Sequence, residues 1–461
     1  MIAGTEEGAA LRAQAEAIFR AGLARVDPLA MMDRVLTLDG DRLTVKANGL
    51  TASYDLSRYR RILVLGAGKA SARMGLGLER LLGGRIADGF IVVKDGGLEA
   101  LSRIETAEAS HPEPDARSEA AARRILALAQ AAGPEDLVVA LISGGASSLM
   151  AAPRELPGHP LTLADKQAVT RLLLACGAPI QDINAVRKRL SAVKGGRLAR
   201  AIAPAACLSL ILSDVTGDDV GVIGSGPTAR NAASAADALT VLARYGLADE
   251  VPAAKGLLQA ECAMDRADGV FPDKVANLVI GSNRLCLTAA AQKALELGWN
   301  PLILTSRLTG EAREMGGLML SLCLDCAENG LPLAAPACIL AGGETTVTLR
   351  GTGLGGRNQE MALAYLAGLD RMDAASLSPG ARRAVYLQAG TDGDDGPTGA
   401  AGAFAGLDIL LRARKLGLDP ARFLAGNDSN AFFKAVDGLL VTGPTRTNVC
   451  DAGVLLIPGA E

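Results

Sequence analysis

Lys69 is the residue whose setting most clearly calls for chemistry. It closes Arg61-Ile-Leu-Val-Leu-Gly-Ala-Gly-Lys-Ala-Ser71, directly behind Gly66 and Gly68. Ile62 to Leu65 form a short apolar run suited to a strand covered on both faces. The two glycines allow a sharp turn and a close backbone approach, and a helix is expected from about Lys69 onward. Backbone N–H groups, a helix dipole and an ammonium would then converge on one point, which favours a phosphate or carboxylate. Leu63 stands where a Walker A loop has its first glycine, so the motif is not a P-loop. Ser71 stands where a dinucleotide fingerprint has its third glycine or alanine. The plain alternative is a tight strand-to-helix turn with a solvated lysine.

Three further loops carry comparable chemistry. Leu137–Ile142 runs into Ser143-Gly-Gly-Ala-Ser-Ser-Leu-Met150, where Ser143, Gly144, Gly145, Ser147 and Ser148 are candidate phosphate ligands. A serine hydrolase is disfavoured, because G-x-S-x-G is absent and only His111 and His159 could complete a triad. After Leu208–Leu212, Ser213-Asp-Val-Thr-Gly-Asp-Asp219 offers Asp214 and then Asp218 as Mg²⁺ ligands, against a turn that needs no metal. Gly342-Gly-Glu-Thr345 supplies Glu344, and Gly351-Thr-Gly-Leu-Gly-Gly-Arg357 brings Arg357 to the start of a helix, where a guanidinium can clamp an anion. In Thr391-Asp-Gly-Asp-Asp-Gly396, Asp392 is the candidate base or metal ligand, while Asp394 and Asp395 read as solvated. Asn283, in Gly281-Ser-Asn-Arg284, is a further site residue.

The elements that must position these loops alternate. Strands are expected at 62–65, 90–93, 137–142 and 208–212, with helices at 70–82, 118–132, 162–175 and 195–202. Such alternation predicts a Rossmann-like, mostly parallel sheet with helices on both faces, and ligands gather at its carboxyl ends. A second α/β half with a mixed sheet follows, with strands at 275–280, 301–305, 337–340, 345–349, 385–388 and 439–441. The 345–349 strand is expected to be antiparallel. The boundary is expected near 229–235, giving domains 1–232 and 233–461, with a tail from 442 free to return to the first domain.

Bulk composition narrows the classes. The chain has 461 residues, 49% hydrophobic but only 3% aromatic, so the cores must be built from Ala, Leu, Val and Ile. A net charge of −3 with no long basic run argues against a nucleic-acid partner. No apolar run reaches the length of a membrane span, and the first residues read as an amphipathic surface helix through Leu11, Ile18, Phe19 and Leu23. A cytoplasmic protein, with a homodimer as an option, is the expectation. Cys323 and Cys326 form the only C-x-x-C, placed late in a helix, and read as two half-buried thiols.

Taken in order, G-A-G-K-A-S, H-P-x-P-D, S-G-G-A-S-S-L, D-V-x-G-D, G-S-G-P-T, S-N-R, L-T-G-E-A, G-G-E-T-T, G-G-R-N-Q-E and T-D-G-x-D-G-P-T resemble the class II glycerate 2-kinases, the MOFRL family. The resemblance spans almost the whole chain. It implies ATP- and Mg²⁺-dependent phosphorylation of D-glycerate to 2-phosphoglycerate, two α/β domains with the active site in the cleft between them, and catalytic roles for Lys69 and Arg357. The chain departs from the pattern at Ser110, Glu113 and Arg446, the last standing for an expected glycine. Relatives have also been labelled hydroxypyruvate reductases. The competing expectation is therefore an NAD(P)-dependent reductase, with Asp95 holding a ribose.

Overall fold

The computed structural model describes residues 3–264 and 270–459, with side chains from residue 7 onward. It divides into two compact units, Pro28–Ile280, and Met1–Asp27 joined with Gly281–Glu461.

The Pro28–Ile280 unit opens with an antiparallel meander of β1 (Leu36–Asp39), β2 (Arg42–Ala47) and β3 (Leu50–Asp55). Its main sheet contains β4 (Arg61–Ala67), β5 (Ile86–Lys94), β6 (Glu105–Ala109), β7 (Asp136–Ile142), β8 (Ala206–Leu212) and β9 (Val275–Gly281), in the order β6-β5-β4-β7-β8-β9. The pairings from β6 through β8 are parallel. Every residue of β7 and β8 is buried, as continuous apolar strands sandwiched between helices must be. Because β4 lies beside β7 and β7 beside β8, the loops leaving their carboxyl ends are neighbours.

The expected boundary at 232/233 is corrected here. β9 completes the first sheet, held by Asn277, which donates from Nδ2 to Thr228 O at 2.9 Å and accepts from Thr228 Oγ1 at 2.6 Å. The helices Ala235–Arg244 and Pro252–Cys262 share an apolar cluster with Leu163–Ala175 and Ile180–Arg189. Hydrophobic periodicity shows that an element must be buried, but not against which neighbour. The polar strand β6 and the meander escaped the pattern for a related reason: an edge or exposed strand carries no apolar run.

The second unit is a mixed sheet of β10 (Asn300–Leu308), β11 (Ala337–Gly343), β12 (Val385–Gly390), β13 (Gly402–Gly406), β14 (Leu439–Leu440) and β15 (Asp451–Ile457), in the order β10-β11-β15-β12-β13-β14. Only β10–β11 is parallel; the other pairings are antiparallel. β15 lies at the centre, so the tail is built into this sheet. The N-terminal helix Ala3–Val26 also packs here, burying Leu11, Ile18 and Phe19 against Leu340, Leu387 and Val454. Residues 345–349 form no strand; Thr346 makes only an isolated bridge to Glu311. Arg446 adopts φ +61°, the left-handed region that favours glycine, so the departure at this position carries backbone strain.

Candidate active site

In the first unit, the loops after β4 and β7 are stitched together. Lys69 N donates to Gly144 O at 2.8 Å, and Ser143 N donates to Ala67 O at 3.1 Å. Ser143 Oγ accepts from Ala70 N at 3.0 Å and lies 3.0 Å from Ser71 Oγ. A Cβ on Gly68, at φ +136°, would come within 2.2 Å of Ser143 Oγ, so only glycine permits this junction. Ser71 and Ser143, both fully buried, therefore serve as staples between loops. Ser148 Oγ is likewise turned inward, donating to Gly145 O at 3.1 Å. Gly66 packs against Ile91 and the Leu141 carbonyl. The helix begins at Ser71, one residue after the start of the expected 70–82 range.

Around this junction the chemically active groups gather. Gly145 takes φ +85°, and a Cβ there would lie 3.3 Å from Lys69 Cγ and 3.0 Å from His111 Cδ2. Gly144 leaves room for Asp214, whose Oδ2 would stand 2.2 Å from a Cβ at that position. Lys69, His111, Gly144, Gly145 and Asp214 thus form one cluster. Asp218 instead holds a left-handed turn at φ +60°. Ser147 is engaged by protein groups, accepting from Arg187 Nη2 at 2.6 Å and lying 3.0 Å from Ser225 Oγ.

Burial, with Lys69 and Lys94 adding repulsion, pushes the His111 imidazole down to about 4 from its ordinary 6.5. His111 is therefore neutral at physiological pH. Between pH 6.5 and 4 the unfolded chain binds more protons at this site, so stability falls as pH falls through that window. His111→Gln is expected to flatten this part of the Tm-against-pH curve, read by thermal melts from pH 7 to 4. An unchanged slope would show that His111 does not carry it.

The second unit builds its own site on Arg357, at the first turn of the helix Arg357–Asp370. Its Nε and Nη2 grip Asp451 Oδ2 and Oδ1 at 2.5 and 2.9 Å, and Nη1 lies 3.2 Å from Glu344 Oε1. Asp451 is buried and also accepts from Asn358 Nδ2 at 3.0 Å. Burial pushes its carboxyl up to about 6, against the opposing pull of Arg357. Arg357 also borders a cavity of about 240 Å³ beside Gly353, Gly355 and Gly356.

Asp395, expected to be solvated, is buried at this helix start. It accepts from the backbone N–H groups of Asn358 and Gln359 at 3.0 and 2.9 Å. Burial pushes the Asp395 carboxyl up, and the two helix N–H groups, which would otherwise lack partners, oppose that push by favouring the carboxylate. Asp392 is half-buried in the same loop and accepts from Asp394 N at 3.2 Å. Asn283 donates from Nδ2 to Val449 O and Asp451 O, both at 2.8 Å, which fixes the strand carrying Asp451. Its Oδ1 and the neighbouring Ser282 Oγ are buried with no hydrogen-bond partner among the described residues.

Sequence reasoning missed Asp451, Asp395 and a group of cations: the buried Lys166 and Lys194 with the half-buried Arg187. Lys194, immediately before Gly195-Gly196, repeats the lysine-and-glycine signal of Lys69 and could have been found by it. Asp451 opens an otherwise apolar strand, which is also a readable anomaly. Cys323 and Cys326 lie in the second unit's core, and burial pushes the Cys323 thiol up to about 12, leaving it unreactive. Among the described residues no group of three or more His, Cys, Asp or Glu is arranged to hold a metal. No helix among them is long and apolar enough to cross a membrane.

Fold and sites together define a two-unit α/β protein that presents a lysine on one glycine-framed loop and an arginine on another. Residues 14–258 match a family model described as a domain of unknown function (DUF4147), and residues 337–451 match the MOFRL family. A protein of Agrobacterium vitis whose name provisionally calls it a hydroxypyruvate reductase is 45% identical over 86% of this chain and 87% of its own length. The D-glycerate 2-kinase of Thermotoga maritima is 38% identical over 86% of this chain and 91% of its own. The crystal structure of a Thermotoga maritima glycerate kinase superposes with a TM-score of 0.84 at 34% identity, covering 97% of this chain and 99% of that one. The chain belongs to the glycerate kinase family that carries the MOFRL domain.

Proposed function

We propose that this protein transfers the γ-phosphoryl group of ATP to the 2-hydroxyl of D-glycerate. The observation that carries this reading is the Lys69–Gly144–Gly145–Asp214 cluster, in a chain alike over most of its length to a D-glycerate 2-kinase. Phosphoryl transfer asks for alignment and positive charge more than for covalent help. Lys69 supplies a mobile ammonium beside the glycine backbone of Gly144 and Gly145, and Arg357 a guanidinium held rigid by Asp451. Since Nε and Nη2 are engaged, the Nη1 edge of Arg357 is the one left for an anion, and Glu344 must yield when it arrives.

When bound, Mg²⁺–ATP supplies the phosphoryl group and part of the charge neutralisation. Mg²⁺ ordinarily keeps several waters and takes one or two carboxylates plus phosphate oxygens. A single carboxylate, Asp214, set against Gly144 beside Lys69, fits that habit without a multi-ligand cage. Asp218, in its turn, is the weaker candidate. Asp392 is the proposed acceptor of the substrate hydroxyl proton, because its loop is tied through Asp395 to the first turn of the Arg357 helix. A cytoplasmic enzyme fits this reading.

The reductase reading is weakened by two contacts. Asp95 is held by Arg117, with Nη1–Oδ1 at 2.6 Å and Nη2–Oδ2 at 3.0 Å, so the proposed ribose ligand already has a partner. The glycine turn is filled by Ser143, where a pyrophosphate would need open approach. Incubation with ATP, Mg²⁺ and D-glycerate should yield ADP and 2-phosphoglycerate, read by phosphorus NMR. Oxidation of reduced nicotinamide on hydroxypyruvate, without ADP formation, would reverse the choice.

A further inference from the structure

A cavity of about 280 Å³ lies within the first unit, between the helices Leu163–Ala175 and Ile180–Arg189 and the loop carrying Pro112. Its charged lining comprises Lys166, Arg171, Arg187, Lys194 and one carboxylate, Glu113, which is exposed. Lys194 is only 2% exposed and Lys166 8%. Lys166 Nζ donates to the Ala152 carbonyl at 2.8 Å, and Arg187 donates to Ser147. Among the described residues no carboxylate pairs with Lys166, Arg187 or Lys194, and the Lys194 ammonium has no hydrogen-bond partner at all.

Such an arrangement is costly. Buried charges are normally paired, and three like charges around one space oppose one another as well as losing water. Burial, with Arg187 and Lys166 adding repulsion, holds Lys194 well below the ordinary lysine range. Lys166 is pushed down to about 7, chiefly by burial. Elsewhere in the same unit the fold solves this problem internally: Glu261, fully buried, is paired with Arg154, Arg189 and Arg197. The cavity has no buried acid of this kind: Glu113 in its lining is exposed, and Glu119, which attracts Lys166 through space, is held by Arg123, so an entering anion would meet cation donors that no buried carboxylate engages.

We infer that this cavity is an anion-binding site and that it seats the carboxylate end of the hydroxy-acid substrate. The inference rests on the proposed function for the identity of the acid, though not for the site. Size favours a three-carbon acid, since the space is too small for a whole adenine nucleotide. Position favours it too: Ser147, which bonds Arg187 at the cavity, lies two residues beyond Gly145, which packs against Lys69. An acid held here by its carboxylate would direct its other end toward the lysine loop.

The test uses Lys194→Met, which keeps the volume and removes the charge, with Lys194→Arg as the charge-retaining control. Thermal melts with D-glycerate, inorganic phosphate or ATP separate the possible anions. D-glycerate is expected to raise the Tm of the parent and of Lys194→Arg, but not of Lys194→Met, while the ATP-induced shift stays equal in all three. Without ligand, Lys194→Met is expected to melt higher than the parent, which also shows that it folds. The KM for D-glycerate should rise by about 10–100-fold, the cost of one charge-assisted hydrogen bond, with kcat little changed. Calorimetry in buffers of different ionisation enthalpy should find proton uptake when D-glycerate binds the parent at pH 8, as the anion restores charge to the lysines.

An unaltered D-glycerate shift in Lys194→Met overturns the proposal. So does loss of the ATP shift instead, or a Lys194-dependent shift with phosphate and none with D-glycerate. A Lys194-dependent D-glycerate shift in a protein that forms no phosphoglycerate would uphold this site and overturn the kinase reading alone.

Discussion

Lys69→Ala is expected to lower kcat by about 10²–10⁴, the range seen when a charged transition-state donor is lost. The fold should not be disturbed. The Lys69 backbone N–H, which alanine retains, makes the bond to Gly144, and no ion pair ties its ammonium among the described residues. Tm and the far-UV spectrum should therefore match the parent, while single-turnover phosphoryl transfer slows. Because the ammonium matters most when charge develops on the moving group, kcat should fall further than KM rises. An alanine variant with parental kcat would remove Lys69 from the mechanism.

Arg357 is the second site of large effect, and its substitution needs more care. Arg357→Ala would lose the Nη1 edge and also strand Asp451, a buried carboxylate gripped by two guanidinium nitrogens. Breaking a buried pair from one side costs about 3–5 kcal/mol, so a loss of activity could reflect misfolding alone. The double variant Arg357→Met/Asp451→Asn removes both charges and keeps a donor-acceptor group beside Asn358. It is expected to recover most of the lost stability in urea melts while leaving kcat down by about 10²–10⁴. If activity returned along with stability, Arg357 would be a structural residue and nothing more.

These two expectations also show how unevenly the molecule can be read. The loop residues around Lys69 and Arg357 were legible because glycines beside a cation after an apolar strand are a local pattern. Their duties were less so. Ser71 and Ser143 have the chemistry of phosphate ligands, yet both hydroxyls are consumed in joining two loops. Asp395 looked solvated between glycines and polar residues, yet it closes a helix start nearly forty residues away in sequence. Short polar side chains serve ligands and backbone equally well, and composition cannot tell which partner will be nearer.

What the amino-acid order determined alone was local: apolar runs of strand length, helical stripes between them, and glycine turns at their ends. That was enough for the α/β class, for most elements to within a few residues, and for the cations that face a loop. Only the tertiary structure decided which strand joined which sheet. It assigned β9 to the first sheet, the N-terminal helix to the second unit and β15 to that unit's centre. It also brought Lys166, Arg187 and Lys194 around one cavity whose lining carboxylate, Glu113, is exposed. The reason is physical: hydrophobicity and backbone geometry act between neighbours in the chain. Pairing of strands and the balance of buried charge are settled between residues that meet only after folding.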